Sequence, residues 1–242
     1  LVGRVLDQAE PARGLGVVRL SLARHPGVLP DAFALSFDAG ESEDAHFVRH
    51  GIVCPPSVAR SVAKRRAEYL AGRRVAVAAL AEVGGDVGDL AIGPSRAPAW
   101  PDGFTGSITH AVGIAAAVVV RAEAARGVGI DIEHVVAAGA FDAIVKSVVD
   151  ASERNVLGEL ARQFGEPMAL TIAFSAKESF YKATAATVGR IFDFSALKIF
   201  NLNEAMLEAE IAETLDPSLP AGMCFRLGYS LLDDSTAITS CA

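Results

Sequence analysis

The spacing of apolar residues predicts a long helix in the first half of the chain. Residues 55–57 (Pro-Pro-Ser) suit a helix start, because proline fits a first turn and serine can cap its free amides. From there to residue 81, apolar residues recur at spacings of three and four, at Ala59, Val62, Ala63, Ala67, Leu70, Ala71 and Ala78. The glycine pair at 84–85 predicts the helix end.

The rest of the chain mixes strand-like and helix-like patterns. A stretch rich in glycine and proline over residues 85–103 predicts a loop. Strands are predicted at 107–120 (one or two), 127–133, 197–202 and 224–232, and further helices are predicted to begin near Ser152 and Ser175. Short strands interspersed with helices indicate an α+β fold.

Composition and charge exclude several classes of protein. The 242 residues are 51% apolar and 21% charged, which excludes intrinsic disorder and allows a sizeable core. A net charge of −7 argues against a general nucleic-acid binder, so any anion site must be local. Apolar runs stay far below the ~20 residues of a membrane span, so no membrane partner is expected.

The cysteines and the start of the sequence favour the cytoplasm. Cys54, Cys224 and Cys241 lie far apart and form no CxxC pair, which fits a reducing compartment and offers no zinc site. No basic and apolar signal segment opens the sequence. We therefore expect a cytoplasmic protein.

A pair of carboxylates in a predicted strand is the first candidate for chemistry. Side chains alternate along a strand, so Asp131 and Glu133 should lie on one face and Ile130 and Ile132 on the other. Two neighbouring carboxylates repel unless a proton or cation lies between them, and oxygen ligands suit Mg²⁺. The alternative is a half-solvated strand with two surface acids.

The segment Phe-Ser-Ala-Lys-Glu-Ser-Phe-Tyr-Lys at 174–182 has two interpretations. Ser175 and Glu178 have the spacing of a helix capping box, and Glu178 and Lys182 that of a helical ion pair. Alternatively, Glu178 could contact a metal or a reacting hydroxyl while Lys177 and Lys182 contact phosphate.

Two further groups could bind an anion. Ser107 and Thr109 should share one strand face with His110 just beyond them, a set that suits phosphate, although His110 could equally be a partly buried structural histidine. Residues 60–74 carry six basic residues and one acid, with Arg65 and Arg73 on one helical face. The alternative for this helix is a solvated surface.

The remaining patterns give no candidate for a metal or nucleotide site. His46 and His50 are four residues apart without an HExxH pattern, so a surface pair is expected rather than a metal site. Glycine-rich nucleotide loops of the GxGxxG or GxxxxGK[ST] kind do not occur in the sequence.

The order of these motifs is more specific than any one of them. KRRAEYLAGR at 64–73, WPDG at 100–103, GSITH at 106–110, GIDIE at 129–133 and FSAKESFYKA at 174–183 follow one another along the chain. This series resembles the 4'-phosphopantetheinyl transferases of the surfactin-synthetase type, and within them the enterobactin-synthetase branch. The match spans roughly residues 57–187.

The resemblance implies a fold and a reaction. The expected fold is an α+β chain of two similar halves, residues 1–126 and 127–242, related by a pseudo-twofold with the active site in the cleft between them. The expected reaction moves the 4'-phosphopantetheine arm of coenzyme A to a serine of an apo acyl or peptidyl carrier protein. It requires Mg²⁺, or Mn²⁺ in its place, and releases adenosine 3',5'-bisphosphate. A monomer is expected.

The resemblance also implies roles for individual residues. Asp131, Glu133 and Glu178 match the metal carboxylates, Glu178 being also the candidate general base. The matches to coenzyme A-binding positions are Arg65, Arg73, Arg96, Ser107, Thr109, His110, Asp131, Lys177 and Lys182. Lys182 is in addition the candidate acid for the departing phosphate.

Three departures and two alternatives accompany the resemblance. Thr109 and Phe174 stand where relatives often carry serine and tryptophan, and the apolar stretch at 135–140 gives no clear carrier-binding surface. A Mg²⁺-dependent phosphohydrolase could use the same acids and basic groups. A carrier-binding module without activity is the non-enzymatic alternative, although such a module needs no metal carboxylates. The carrier, whether of fatty-acid, polyketide, siderophore or peptide synthesis, is left open.

Overall fold

The chain forms two compact units. The computed structural model describes residues 11–12, 16–22, 29–38, 40, 42–86, 88, 90–93, 97–137, 139, 141–203 and 206–242. The first unit comprises the described residues up to Arg126 except Leu29. The second comprises Leu29 and the described residues from Gly127 to Ala242. Each unit combines helices with one antiparallel sheet, which confirms the α+β class.

The first unit is built on a sheet with the order β1-β2-β3-β5-β4 in its described part. The strands are β1 (Pro11–Ala12), β2 (Val17–Leu20), β3 (Ala32–Ser36), β4 (Phe104–Ala111) and β5 (Ile114–Arg121). The helices are α1 (Asp44–His50), α2 (Pro56–Ala59) and α3 (Ala63–Glu82). The predicted strand at 107–120 is thus the hairpin β4–β5, paired from Phe104 with Arg121 to Ala111 with Ile114.

The second unit has a sheet with the order β6-β10-β9-β8-β7. Its strands are β6 (Gly129–His134), β7 (Leu197–Asn203), β8 (Met206–Ile211), β9 (Cys224–Asp233) and β10 (Thr236–Cys241). Its helices are α4 (Phe141–Val148), α5 (Ala151–Val156), α6 (Gly158–Phe164) and α7 (Glu166–Val188), and a 3₁₀ turn spans Phe194–Ala196. The predicted strands at 127–133, 197–202 and 224–232 therefore exist.

Each sheet buries one face under a long helix. In the first unit, α3 lays small residues on β3 and β5, and a Cβ at Gly72 would lie only 3.0 Å from Ile108 Cγ2. In the second unit, α7 packs on the sheet with α4–α6 beside it, and Leu160, Ile172, Phe180 and Leu207 are fully buried. Burial of this apolar surface is the main stabilising contribution in both cores.

The helix boundaries differ from the predicted ones in two places. The single helix predicted for 57–81 is broken between α2 and α3, where Arg60 closes the first and Val62 is extended. The helix predicted from Ser175 begins instead at Glu166, after Gly165 with φ of 87° and with a proline in its first turn. The helix predicted near Ser152 is confirmed as α5.

Two remaining features concern the cysteines and the character of the helices. The structure leaves all three cysteines as free thiols. None of the helices in the described ranges has the length and apolar character of a membrane span.

Candidate active site

Two glycines bring strand β6 against helix α7. A Cβ at Gly127 would lie 1.9 Å from the carbonyl oxygen of Ala183, and one at Gly129 would lie 1.8 Å from that of Ser179. No side chain fits at such distances, so only glycine allows this approach. Because residues two apart share a strand face, Asp131 and Glu133 continue the same face toward the helix.

Hydroxyl groups fix the position of α7 over the sheet. Ser175 Oγ donates to the carbonyl oxygen of Asp131 at 3.2 Å and lies 2.9 Å from Thr239 Oγ1. Ser179 Oγ lies 2.7 Å from the same threonine hydroxyl. All three hydroxyl residues are buried, so these bonds form where water does not compete.

Asp131 forms an ion pair with Lys182. The Nζ of Lys182 donates to Asp131 Oδ1 at 2.6 Å and to the carbonyl oxygen of Ile130 at 3.1 Å. The side chain of Asp131 is 6% exposed and that of Lys182 is 27% exposed. The alternative of two surface acids on β6 is therefore wrong for Asp131.

Three carboxylates influence one another at this place. The pKa of Glu133 is raised to about 7, mainly by burial and also by the charges of Asp131 and Glu178, whereas Lys182 lowers it. Burial also raises the pKa of Glu178, and Asp131 adds to that shift. The cluster has three carboxyl groups and only one neighbouring ammonium group, that of Lys182. A bound cation would balance the remaining negative charge.

The structure distinguishes between the two interpretations of the segment at 174–182. Ser175 and Glu178 lie in the middle of α7, so the capping-box interpretation is wrong. In the described structure, the carboxylate that Lys182 pairs with is that of Asp131 and not that of Glu178. Glu178 instead borders a cavity of about 280 Å³ whose walls include Tyr181 and Phe192.

Lys177 has a different position from the one expected. Its Nζ lies 2.6 Å from Glu153 Oε1, and both side chains are 1% exposed. It also donates to the carbonyl oxygens of Val148 at 2.6 Å and Phe194 at 3.2 Å. The expectation that Lys177 contacts phosphate is not supported, because an ammonium group has three N–H donors and each has a protein acceptor here.

In the first unit, Arg65 and His110 lie side by side. Arg65 Nη1 is 3.4 Å from His110 Nε2. Glu68, one turn along α3, lies 3.8 Å from Arg65 Nη1 and 4.0 Å from His110 Nδ1. Since the Arg65 side chain is 47% exposed, the pair can meet an anion from solvent, with Glu68 close to both groups.

Arg73 occupies more enclosed surroundings on the same helix. It is 6% exposed, and its guanidinium stacks 4.7 Å from the centre of the Tyr69 ring. Its Nε donates to the Tyr69 hydroxyl at 3.3 Å and its Nη2 to the carbonyl oxygen of Ala91 at 3.3 Å. The face shared by Arg65, Tyr69 and Arg73 is therefore not a uniformly solvated one.

The hydroxyls of β4 lie on a different face from His110. Ser107 and Thr109 are buried, whereas Ile108 and His110 alternate with them and face α3. The structure thus confirms the shared face of the two hydroxyls but does not bring His110 to it. Arg96 lies outside the described residues.

The acidic side chains of the described residues do not converge on a single point as metal ligands would. Within the described ranges, no group of three or more His, Cys, Asp or Glu side chains is gathered closely enough to hold a metal ion. The donor set of Asp131, Glu133 and Glu178 nevertheless has the chemistry of a Mg²⁺ site, since Mg²⁺ takes carboxylates and retains several waters.

Comparisons with known proteins identify the family of this chain. The family model "4'-phosphopantetheinyl transferase N-terminal domain" matches residues 55–120, and the model "4'-phosphopantetheinyl transferase superfamily" matches residues 127–224. This chain belongs to the 4'-phosphopantetheinyl transferases. It is an enzyme that transfers the phosphopantetheine group of coenzyme A to carrier proteins.

Individual relatives of this transferase support the enterobactin-like branch. The chain is 39% identical over 184 residues to enterobactin synthase component D of Salmonella typhi. The aligned region covers 73% of this chain and 74% of that protein. The chain is 41% identical over 135 residues to 4'-phosphopantetheinyl transferase PptT of Mycobacterium tuberculosis, covering 53% and 55%. Svp of Streptomyces mobaraensis is 39% identical over 143 residues, covering 59% and 57%.

Sequence reasoning missed two residues of this transferase. Glu153 forms the buried pair with Lys177, and Glu68 lies near both Arg65 and His110. The Asp-x-x-Glu spacing at 150–153 is a capping-box signal and could have located Glu153 at the start of a helix, though not its partner.

Proposed function

We propose that the transfer is Mg²⁺-dependent, that it places phosphopantetheine on a serine hydroxyl of the carrier, and that it releases adenosine 3',5'-bisphosphate. The observation that carries the proposal is the set of acids between β6 and α7. Glu133 and Glu178 have raised pKa values through burial and through the charge of Asp131, so a cation would stabilise all three as carboxylates.

Asp131, Glu133 and Glu178 would hold the ion. When bound, Mg²⁺ would polarise phosphate oxygens and neutralise charge that develops during transfer. Lys182 lies next to Asp131 and can donate a proton or a hydrogen bond to the phosphate that departs.

Glu178 is the proposed general base. Glu178 lines an open cavity, which offers a carrier serine a route to this residue from solvent. A base must be within hydrogen-bond reach of the proton it removes, directly or through one water. Burial raises the pKa of Glu178, which makes its carboxylate a stronger base than an exposed glutamate.

Binding of the nucleotide end is assigned to the first unit. Arg65 and His110 lie side by side and can both donate hydrogen bonds to a phosphate, and Arg73 adds a guanidinium on the same helix as Arg65. Ser107, Thr109 and Arg96 stay as further predicted contacts. We also propose that the two units are the two halves of the transferase fold.

The proposal also covers the class of carrier, the compartment and the oligomeric state. Similarity to enterobactin synthase component D favours a carrier of siderophore synthesis over the other carrier classes. Free thiols fit a cytoplasmic enzyme, and we propose that it acts as a monomer. Light scattering of the purified chain tests the monomer.

One experiment tests the reaction. The enzyme is incubated with coenzyme A and a panel of apo carriers, with chelator, with Mg²⁺ or with Mn²⁺, and the carriers are weighed by intact mass spectrometry. Phosphopantetheine should appear on a carrier with either ion, with adenosine 3',5'-bisphosphate released in equal amount. Full transfer in excess chelator would refute the metal assignment, and cleavage of coenzyme A without carrier would favour a phosphohydrolase.

A further inference from the structure

We propose that Glu153 and Lys177 form a positioning pair, which holds α7 and the turn after it so that Glu178 is presented correctly to its substrate. This inference rests on the proposed function, since it assigns a purpose to the residue next to the proposed base. Glu153 is on α5, Lys177 is on α7, and neither side chain is accessible to solvent beyond 1%.

The hydrogen bonds of Lys177 show what it connects. Besides Glu153, its Nζ reaches the carbonyl oxygen of Val148 at the end of α4 and that of Phe194 in the 3₁₀ turn. Three donors meet three acceptors, so the group is fully satisfied inside the protein. One ammonium group therefore links α7 to α4, to α5 and to the turn after α7.

Glu153 extends the same connection to the sheet. Its Oε1 accepts from the amide of Ile199 on β7 at 3.0 Å as well as from Lys177. Its Oε2 accepts from the amide of Asp150 at 2.9 Å, which closes the cap of α5. The pair thus joins the sheet and the helices at a single buried point.

The Glu153–Lys177 pair lies close to the proposed base. Lys177 precedes Glu178 in α7, and the cavity that Glu178 borders is also lined by Lys177, Phe194 and Leu197. A change in the pair would shift both the base and the opposite wall of the cavity. A displacement of about 1 Å at reacting groups can cost about 100-fold in rate.

Stability alone is a poor explanation for the pair. Removing two charges from water is costly, and apolar residues of similar volume often stabilise a fold as well or better. Directed hydrogen bonds, in contrast, define one orientation of the groups they join. The position of the pair beside Glu178 therefore favours a role in geometry.

The test compares Glu153→Gln, Lys177→Met and the double variant with two controls. The exposed pair Arg154–Glu166 joins the same two helices at 2.7 Å with side chains 47% and 49% exposed, so Arg154→Met with Glu166→Gln is the matched ion-pair control. Leu160→Ala removes apolar volume from the same core, at a fully buried position, and leaves the polar pair untouched.

Two measurements are made below the lowest Tm of the set. Transfer kinetics give kcat and KM for coenzyme A, and hydrogen exchange follows residues 174–182 and 192–194. For Glu153→Gln we expect kcat to fall about 10- to 100-fold with KM within about twofold, and faster exchange in both segments. Leu160→Ala and the exposed-pair variant should keep kcat within about twofold.

The double variant separates positioning from stability. Removing both charges should restore most of the Tm lost by either single variant, because no buried charge is left unpaired. The kcat should nevertheless stay low, since the links from Lys177 to the carbonyl oxygens of Val148 and Phe194 are lost.

Three results would overturn the inference. The first is recovery of kcat together with Tm in the double variant. The second is a loss of kcat in Leu160→Ala equal to that in Glu153→Gln. The third is a KM increase confined to Lys177→Met, which would indicate that Lys177 contacts phosphate. If the wild-type chain transfers nothing, the proposed function fails, whereas unchanged exchange in Glu153→Gln contradicts the positioning pair by itself.

Discussion

Arg65 and His110 of the first unit lie near solvent, whereas the acids of the second unit are more enclosed. Arg65 is 47% exposed beside His110, while Asp131 is 6% exposed beneath α7. Burial raises the pKa of Glu133 and Glu178, because the low dielectric of their surroundings penalises charge. The first set can capture an anion from water, and the second can act on one where electrostatic interactions are strong.

The contrast has a structural cause. On α3, the Arg65 side chain is open to solvent and has Glu68 nearby at 3.8 Å. On β6, glycines remove the side chains that would separate strand from helix, so the acids are pressed against α7. The same architecture of one helix on one sheet therefore provides two different electrostatic settings.

The largest expected effect is in the second unit, for Glu178→Gln. Glutamine is nearly the same size but cannot accept a proton at neutral pH, so transfer should fall at least ~100-fold while coenzyme A still binds. The Tm should stay near that of wild type, because Glu178 does not cap the helix. Turnover and melting are measured on one preparation.

The control for Glu178→Gln is Glu166→Gln, an exposed glutamate in the first turn of the same helix. It should leave turnover unchanged. Near-normal turnover in a folded Glu178→Gln enzyme would remove Glu178 from the mechanism.

In the first unit, Arg65→Ala should weaken binding of coenzyme A by about 1–3 kcal/mol, the range for a charge-assisted hydrogen bond. Calorimetric titration should show that the loss largely disappears with 3'-dephospho-coenzyme A, which lacks the proposed phosphate. Lys64→Ala is the matched control, since Lys64 also lies near Glu68, at 3.9 Å, and is 66% exposed. Equal weakening for both ligands would assign Arg65 to another contact.

Arg73→Ala should affect both binding and stability. Losing the stack on Tyr69 and the bond to Ala91 should lower the free energy of unfolding by about 1–2 kcal/mol. Urea unfolding gives that loss, and titration with both ligands gives the phosphate contribution. A variant that loses stability while its affinity for coenzyme A is unchanged would show that Arg73 only supports the helix.

The smallest effect is expected for Asp150→Asn, at an exposed ion pair of the second unit. Hydrogen bonds from Lys198, Ser152 and the Glu153 amide lower the pKa of Asp150. Its contribution is therefore present above the usual aspartate pKa and is lost as pH falls through the lowered value. The variant should melt about 1–2 °C lower near pH 7.

That difference in Tm should shrink in strong acid, which scanning calorimetry across pH can follow. A loss as large as that of Glu153→Gln would contradict the view that exposure decides how much an ion pair contributes.

Much of this arrangement was predictable because it depends on local spacing. Alternation along β6 placed Asp131 and Glu133 on one face, and the Asp150-x-x-Glu153 pattern marks the start of α5. The start of α7 was missed, although Gly165 followed by a proline two residues later is a helix-start signal. Family resemblance supplied the roles of residues that spacing left open.

The sequence by itself determined the α+β class, the strand that carries the acids and the identity of the chain as a phosphopantetheinyl transferase. Only the tertiary structure decided which lysine meets which acid. Lys177 and Lys182 are five residues apart, so helical geometry turns them to different sides of α7. One reaches Glu153 inside the core and the other reaches Asp131 at the site, because packing against different neighbours, which spacing cannot reveal, sets the partner of each charge.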